Sequence, residues 1–174
     1  MHWANLKGSD LSHAALSKAV LAKANLQNVN LSHADLNGAD LMHADLRNVH
    51  FHETELSKAN LMFANLQTTY IYDSDLINAN LEFADLSNAE LPMTRLRGAN
   101  LSHANLEGAD LRFAHMQGVN LSGIIYNGMT KWPEGFIVPP DAENTDEIDT
   151  EIAEEMRNFR RRAFTRMGWQ PYSV

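Results

Sequence analysis

The amino-acid sequence predicts an all-β solenoid, in which the chain coils repeatedly around a narrow interior filled by its own leucines. Three observations carry this prediction. Leucine recurs at every fifth residue over 24 positions from Leu6 to Leu121, and only Phe51, Ile71 and Met116 replace it. The residue two places before each of these is small, and it is alanine in 16 of the 24 cases. The residue between the two is Asn or Asp, again in 16 cases.

A period of five excludes the two regular structures as long elements. An α-helix advances about 100° per residue, so leucines five apart would spread around the whole cylinder. In a long strand, an odd period would send successive leucines to opposite faces. The period does suit a chain that is extended for about three residues and then turns a corner. Alanine and leucine would then point inward, while Asn or Asp would bond backbone groups of the turn.

The repeated unit is clearest in Ala34-Asp35-Leu36-Asn37-Gly38, and it resembles the repeat of the pentapeptide-repeat family. The resemblance covers residues 4 to about 123. It implies a right-handed quadrilateral β-helix with four repeats in each coil, and therefore about six coils within residues 1–123. At about 4.8 Å per coil, such a rod would be about 29 Å long.

The repeat pattern stops near residue 123, and we expect residues 124–141 to form a capping and connecting segment. Trp132 and Phe136 could lie over the leucines of the last coil, and the prolines would stop further strand addition. The stretch at residues 130–136, Thr-Lys-Trp-Pro-Glu-Gly-Phe, is similar to one that follows the repeats in cyanobacterial members of the family.

Residues 142–174 are expected to form an amphipathic helix and a tail. Asn144 followed three residues later by Glu147 predicts the start of the helix, and Gly168 predicts its end. Apolar residues at helical spacing define one stripe, a candidate interface. The stripe consists of Ile148, Ile152, Met156 and Phe159, continued by Ala163. The helix could cap its own rod, mediate dimerisation or bind a partner.

If residues 20 apart are neighbours, the outward side chains form columns along the rod. The candidate interaction patch consists of His50, His52, Tyr70, Tyr72, Phe63 and Phe83. The two phenylalanines belong to a column with His43 and His103, beside Met42 and Met62. This apolar strip is either an exposed interface or a set of rings that stack to stiffen a corner.

A second column is acidic and consists of Asp35, Glu55 and Asp75, but Arg95 and His115 interrupt it. Residues 1–123 contain 13 acidic and 8 basic side chains, a net charge of −5. The resemblance implies one function for such a surface, because some pentapeptide-repeat proteins bind type II DNA topoisomerases such as gyrase by imitating duplex DNA. This DNA mimicry is the alternative functional hypothesis.

Composition narrows the remaining function classes. The chain has 174 residues, a net charge of −8 and no cysteine, which excludes disulfides and thiolate chemistry. The acidic balance argues against direct binding of nucleic acid, and no apolar stretch of about 18 residues exists to span a membrane, so a cytoplasmic location is expected. Histidine pairs such as His13 with His33 lack further ligands for a metal, and the Ser-His pairs lack a third orienting group. No catalytic, cofactor or metal site is therefore predicted.

The sequence thus predicts a non-enzymatic structural or interaction protein that presents a rigid rod to an unidentified protein partner. Only three residues precede the first repeat, so the first coil is expected to lack a cap. Exposed backbone edges invite pairing with another chain. Homodimerisation through this coil, the apolar strip or the C-terminal helix is therefore expected as well.

Overall fold

The computed structural model describes residues 4–148 and 150–166, with side chains up to residue 158. Its backbone repeats one pattern of parallel bridges between residues 20 apart, beginning with Asn5 to Asn25 and continuing to Asn105 with Ile125. A bridge occurs at every fifth residue, so each 20-residue coil is joined to the next at four positions. This register confirms the predicted β-solenoid.

Each repeat turns at the two residues that follow its leucine. The second of these has a positive φ in all 24 repeats, between 49° and 69°, although 18 of the 24 residues are not glycine. The next residue donates its N–H to the carbonyl of the leucine, as Ala59 does to Leu56 at 3.0 Å. A positive φ at the third turn residue alone is typical of a type II turn. The corner is therefore set by the backbone and accepts many side chains.

The interior is a column of leucines with alanines beside them. From Leu26 to Leu111 the side chain at every fifth position is at most 1% exposed, whereas Leu6, Leu11 and Leu16 of the first coil are only partly buried. Burial of each leucine contributes roughly 1.5–3 kcal/mol of transfer free energy. Because each coil packs on its neighbours, stability is a sum of contacts along the rod.

Beyond residue 123 the chain lies across the end of the rod. Strand β1, Ile125–Tyr126, pairs in parallel with strand β2, Glu143–Asn144. Tyr126, Trp132 and Phe136 pack against the leucine core, and the rings of Trp132 and Phe136 stack at 5.3 Å. Apolar rings thus cover part of the core at this end.

Helix α1 is Thr150–Arg166, so the prediction that it begins at Asn144 is wrong. Asn144 belongs to β2, and its side-chain amide donates to Glu147 Oε1 at 2.8 Å while Glu147 N donates to Asn144 O at 3.1 Å. These bonds close a turn after the strand. The predicted end at Gly168 lies outside the described residues. Within the described part of the chain, no helix is both long and apolar enough to cross a membrane.

The side of α1 that is buried differs from the predicted apolar stripe. Ile152 is 54% exposed, Ile148 and Met156 are partly buried, and the side chain of Phe159 lies outside the described set. Ala153 is buried instead, and Arg157, one turn further on, pairs with Glu107 of the rod. That ion pair selects the face one residue round from the stripe. The stripe remains a candidate interface for another chain.

Candidate interaction face

Four rings from two successive coils lie together at one corner of the rod. His50 stacks on Tyr70 with ring centroids 4.9 Å apart, and His52 stacks on Tyr72 at 5.4 Å. The two tyrosines remain 44% and 42% exposed. The register of 20 residues produces these pairs, since it places each histidine directly beside a tyrosine. We call these four residues the aromatic face.

Further exposed side chains continue the aromatic face along the same corner. Met93 is 45% exposed and its Sδ lies 3.5 Å from the hydroxyl of Tyr72, while Phe113 is 66% exposed. In the other direction, the rings of His13 and His33 stack at 4.8 Å. The sequence analysis missed Met93 and Phe113. Steps of 20 from Asp73 would have found both.

Carboxylates accompany the rings. Glu53 lies between two histidines, 3.5 Å from His33 Nδ1 and 3.1 Å from His52 Nε2. Asp73 and Glu90 are exposed and form no ion pair with any described residue. Glu90 is the bridge partner of Tyr70, so a carboxylate follows directly after that ring. The face therefore combines apolar rings with uncompensated negative charge.

The interior behind the aromatic face departs from the repeat. Phe51 and Ile71 stand where leucine is usual, and hydroxyl side chains replace the inward alanine in three successive coils. These hydroxyls belong to Thr54, Ser74 and Thr94, and all three are buried. Each donates to a carbonyl 23 residues earlier, at 2.8 Å for Thr54 and 2.6 Å for Thr94.

The turns after Phe51 and Ile71 are the two, among the 24 turns of the rod, that lack the backbone bond across the turn. At the first of them, Thr54 N donates to Ser74 Oγ at 3.1 Å, and Ser74 Oγ donates to Phe51 O. A hydroxyl from the next coil thus replaces the direct bond. These opened turns carry His52 and Tyr72, so the local departure in the core lies beneath the exposed rings.

Phe63 and Phe83, which the sequence analysis assigned to the same patch, lie at a different corner. There the rings of His43, Phe63, Phe83 and His103 stack in one column, with successive centroids 4.8–5.0 Å apart. His43 is 4% and Phe63 is 5% exposed. The expectation of an exposed strip is therefore wrong for these two rings, because stacking buries them. We call this set the ring column.

His43 carries a buried polar atom within the ring column. Its Nδ1 has no hydrogen-bond partner in the described part of the chain. Burial lowers the pKa of His43, and the positive charge of Lys23 lowers it further. The imidazole is therefore held in its neutral form, in which it stacks like the phenylalanine below it.

The predicted acidic column is compensated by its neighbours. The amide of Asn37 donates to Asp35 at 2.8 Å and to Glu55 at 2.6 Å. Asp75 accepts from the hydroxyl of Ser57 at 2.7 Å and pairs with Arg95 at 3.3 Å. The three carboxylates thus form no continuous negative surface.

Two further carboxylates anchor the C-terminal end. Hydrogen bonds from Arg112, aided by Lys131, lower the pKa of Asp110 to about 2 although its burial acts in the opposite direction. Burial alone would raise the pKa of Glu107, but hydrogen bonds from Arg157 and Thr145 outweigh it and lower that pKa. Glu107 therefore stays ionised and ties α1 and the preceding turn to the rod.

A cavity of about 300 Å³ lies between the rod and α1. Its lining includes Asp85, Asn88, Asn105, Glu107 and Arg157. Glu107 and Arg157 bond each other there, so their charges are largely satisfied. Within the described residues, no group of three or more His, Asp or Glu side chains could hold a metal ion.

Bridges at a constant 20-residue register, with leucine inside and turns at the corners, define a β-solenoid repeat protein. A family model described as "Pentapeptide repeats" matches the chain in 8 copies, over residues 1–38, 24–62, 34–70, 64–102 and 94–125. The chain therefore belongs to the pentapeptide-repeat family, as its repeat unit predicted.

Solved structures of pentapeptide-repeat proteins are similar to this chain. HetL, involved in heterocyst differentiation regulation in the cyanobacterium Nostoc sp. strain PCC 7120, is 28% identical, with 80% of this chain and 84% of HetL covered and a TM-score of 0.34. Rfr23 from the cyanobacterium Cyanothece 51142 is 29% identical, with coverage of 75% and 86% and a TM-score of 0.31. QnrB1, a plasmid-mediated fluoroquinolone resistance protein, is 16% identical, with coverage of 99% of both chains and a TM-score of 0.46. No curated protein matches the chain significantly.

Proposed function

We propose that this protein is a non-enzymatic interaction protein that binds a protein partner through its aromatic face. One observation carries the proposal: two stacked His–Tyr pairs, with both tyrosines more than 40% exposed, lie at the corner where the core and the turns depart from the repeat. Contiguous exposed apolar surface on a soluble domain is typical of interaction sites. Tyrosine is also enriched at protein interfaces.

The rest of the molecule supports a role as a scaffold. Leucine and alanine fill the interior, so no substrate cavity lies within the coils. We propose a right-handed quadrilateral β-helix of about six coils over residues 1–123, a capping segment over residues 124–141, and a C-terminal helical unit over residues 142–174. Such a rod holds its corners at fixed spacing and so orients the aromatic face rigidly. The cytoplasmic location stays a prediction.

The proposal is tested by affinity capture from the source cell with quantitative mass spectrometry. The wild type is compared with Tyr70→Ser/Tyr72→Ser, and Val20→Ser is the matched control because Val20 is also 44% exposed but lies at another corner. We expect a defined set of proteins to be captured by the wild type and the control and lost with the tyrosine variant. Equal capture by all three proteins would contradict the proposal.

DNA mimicry remains the alternative, and the pairing within the acidic column gives it less support. Neutralisation of Asp75 by Arg95 removes the regular negative spacing that a DNA-like surface needs. A gyrase supercoiling assay tests it. A response that is abolished in Asp35→Lys/Glu55→Lys/Asp75→Lys would favour mimicry, and the absence of any response would remove it.

Self-association also stays a prediction. The leucines of the first coil are only partly buried, and Ile152 of the predicted helix stripe is exposed. Light scattering over a range of protein concentrations tests it, and a strict monomer at high concentration would count against it.

A further inference from the structure

We infer that the aromatic face recognises a basic segment of its partner, a stretch of chain that combines Arg or Lys with apolar side chains. The inference rests on the proposed function and specifies the chemistry of the partner. Its basis is the combination of exposed rings with carboxylates that nothing in the described residues neutralises.

The charges at this corner are one-sided. Asp73 and Glu90 are exposed and without an ion pair among the described residues, and Glu53 contacts only histidines. The basic side chains of the same corner, Arg112 and Lys131, both bond Asp110 near the C-terminal end. The middle of the face therefore offers negative charge to a partner and no competing cation.

The shape of the face suits long basic side chains. His50 and Tyr70 cover one side of each other's ring, so a partner meets mainly ring edges, the tyrosine hydroxyls and the thioether of Met93. The methylene stems of Arg and Lys pack on such apolar surface while their charged ends stay hydrated. A guanidinium beside Tyr70 can then reach the neighbouring carboxylate of Glu90, because the two residues are bridge partners.

The length of the surface limits the segment. Exposed side chains continue at this corner from His13 to Phe113, which is five coil spacings or about 24 Å. An extended peptide of about seven residues spans that distance. Nucleic acid is disfavoured as the partner, because the exposed carboxylates repel phosphates.

The inference is tested by selection from a phage library of random dodecapeptides on the full-length protein. We expect the enriched peptides to contain Arg or Lys together with apolar residues. The leading peptide is then synthesised and its affinity is measured by fluorescence anisotropy. Asp73→Asn/Glu90→Gln is expected to weaken it by about 10- to 100-fold, as is usual for the loss of hydrogen bonds between charged groups.

Two further variants separate the possible failures. Tyr70→Ser/Tyr72→Ser should also weaken binding, whereas Asp35→Asn/Glu55→Gln should leave it unchanged, because it removes the same charge at another corner. Peptides that need the tyrosines but carry no basic residue, or that bind Asp73→Asn/Glu90→Gln equally well, would overturn the basic-segment inference and leave the interaction face intact. A library without any tyrosine-dependent peptide would overturn both. Tighter binding of a single-stranded oligonucleotide than of the leading peptide would overturn the inference too.

Discussion

Ser74→Ala tests whether a hydroxyl from one coil holds the turn of another. In the wild type, Ser74 Oγ accepts from Thr54 N and donates to Phe51 O, and neither backbone group has another hydrogen-bond partner in the rod. Each buried backbone group left without a partner costs about 1–3 kcal/mol. The substitution should therefore lower the free energy of unfolding by about 2–6 kcal/mol.

Ser9→Ala is the matched control, because Ser9 occupies the same inward position of its repeat. Its hydroxyl donates to Leu6 O at 2.6 Å, but Ser9 N donates to the same carbonyl at 3.0 Å and is unaffected by the substitution. Only one redundant bond is lost, so we expect a change of about 0.5–1.5 kcal/mol at most.

Urea unfolding of both variants measures the two free energies. Hydrogen exchange of the Thr54 amide adds a local readout, because that amide should lose protection in Ser74→Ala before the neighbouring coils do. If Ser74→Ala is no more destabilising than Ser9→Ala and the Thr54 amide stays protected, the turn closes by itself. The reasoning that the core at Phe51 holds it open would then be refuted.

Three further predictions concern the ring column, α1 and the leucine core. His43→Phe should stabilise the protein by roughly 1–3 kcal/mol, because it removes a buried nitrogen without a partner. Since burial lowers the pKa of His43, the unfolded state takes up a proton below about pH 6.5 more readily than the folded state, so wild-type stability falls there and the gain should be larger at pH 5 than at pH 8 in thermal unfolding. Arg157→Ala should increase hydrogen exchange in α1 and leave the coils unchanged, because the ion pair with Glu107 is lost; unchanged exchange in α1 would contradict its role as an anchor. Leu61→Ala should cost about 2–5 kcal/mol in urea unfolding and Leu11→Ala clearly less, because Leu11 is only partly buried, and equal costs would contradict the open first coil.

The solenoid and its interior could be predicted from the sequence because they depend on period alone. A leucine at every fifth position permits one inward column, and the side chains from Leu26 to Leu111 follow it. The positive φ of the corner could not be predicted residue by residue. Its position is occupied by residues as different as Lys18, Asn28 and Phe83, so it has no signature in residue type.

The features of the candidate site depend on contacts between coils, which explains why the sequence indicated them only in part. Placing His50 beside Tyr70 requires only the register, and that pair was predicted. The burial of Phe63 requires ring stacking on both sides, which a pattern of exposed columns does not indicate. The side of α1 that faces the rod depends on one ion pair, Arg157 with Glu107, rather than on the apolar stripe.

The 20-residue register makes the length of this protein adjustable only in steps. An insertion of one whole coil would lengthen the rod by about 4.8 Å and leave every later residue above the same neighbours. An insertion of a single repeat would preserve the leucine interior but shift each later residue to the adjacent corner. Tyr70 would then no longer lie over His50, although the fold itself would survive. Selection for a working surface therefore constrains insertions and deletions far more tightly than selection for stability does.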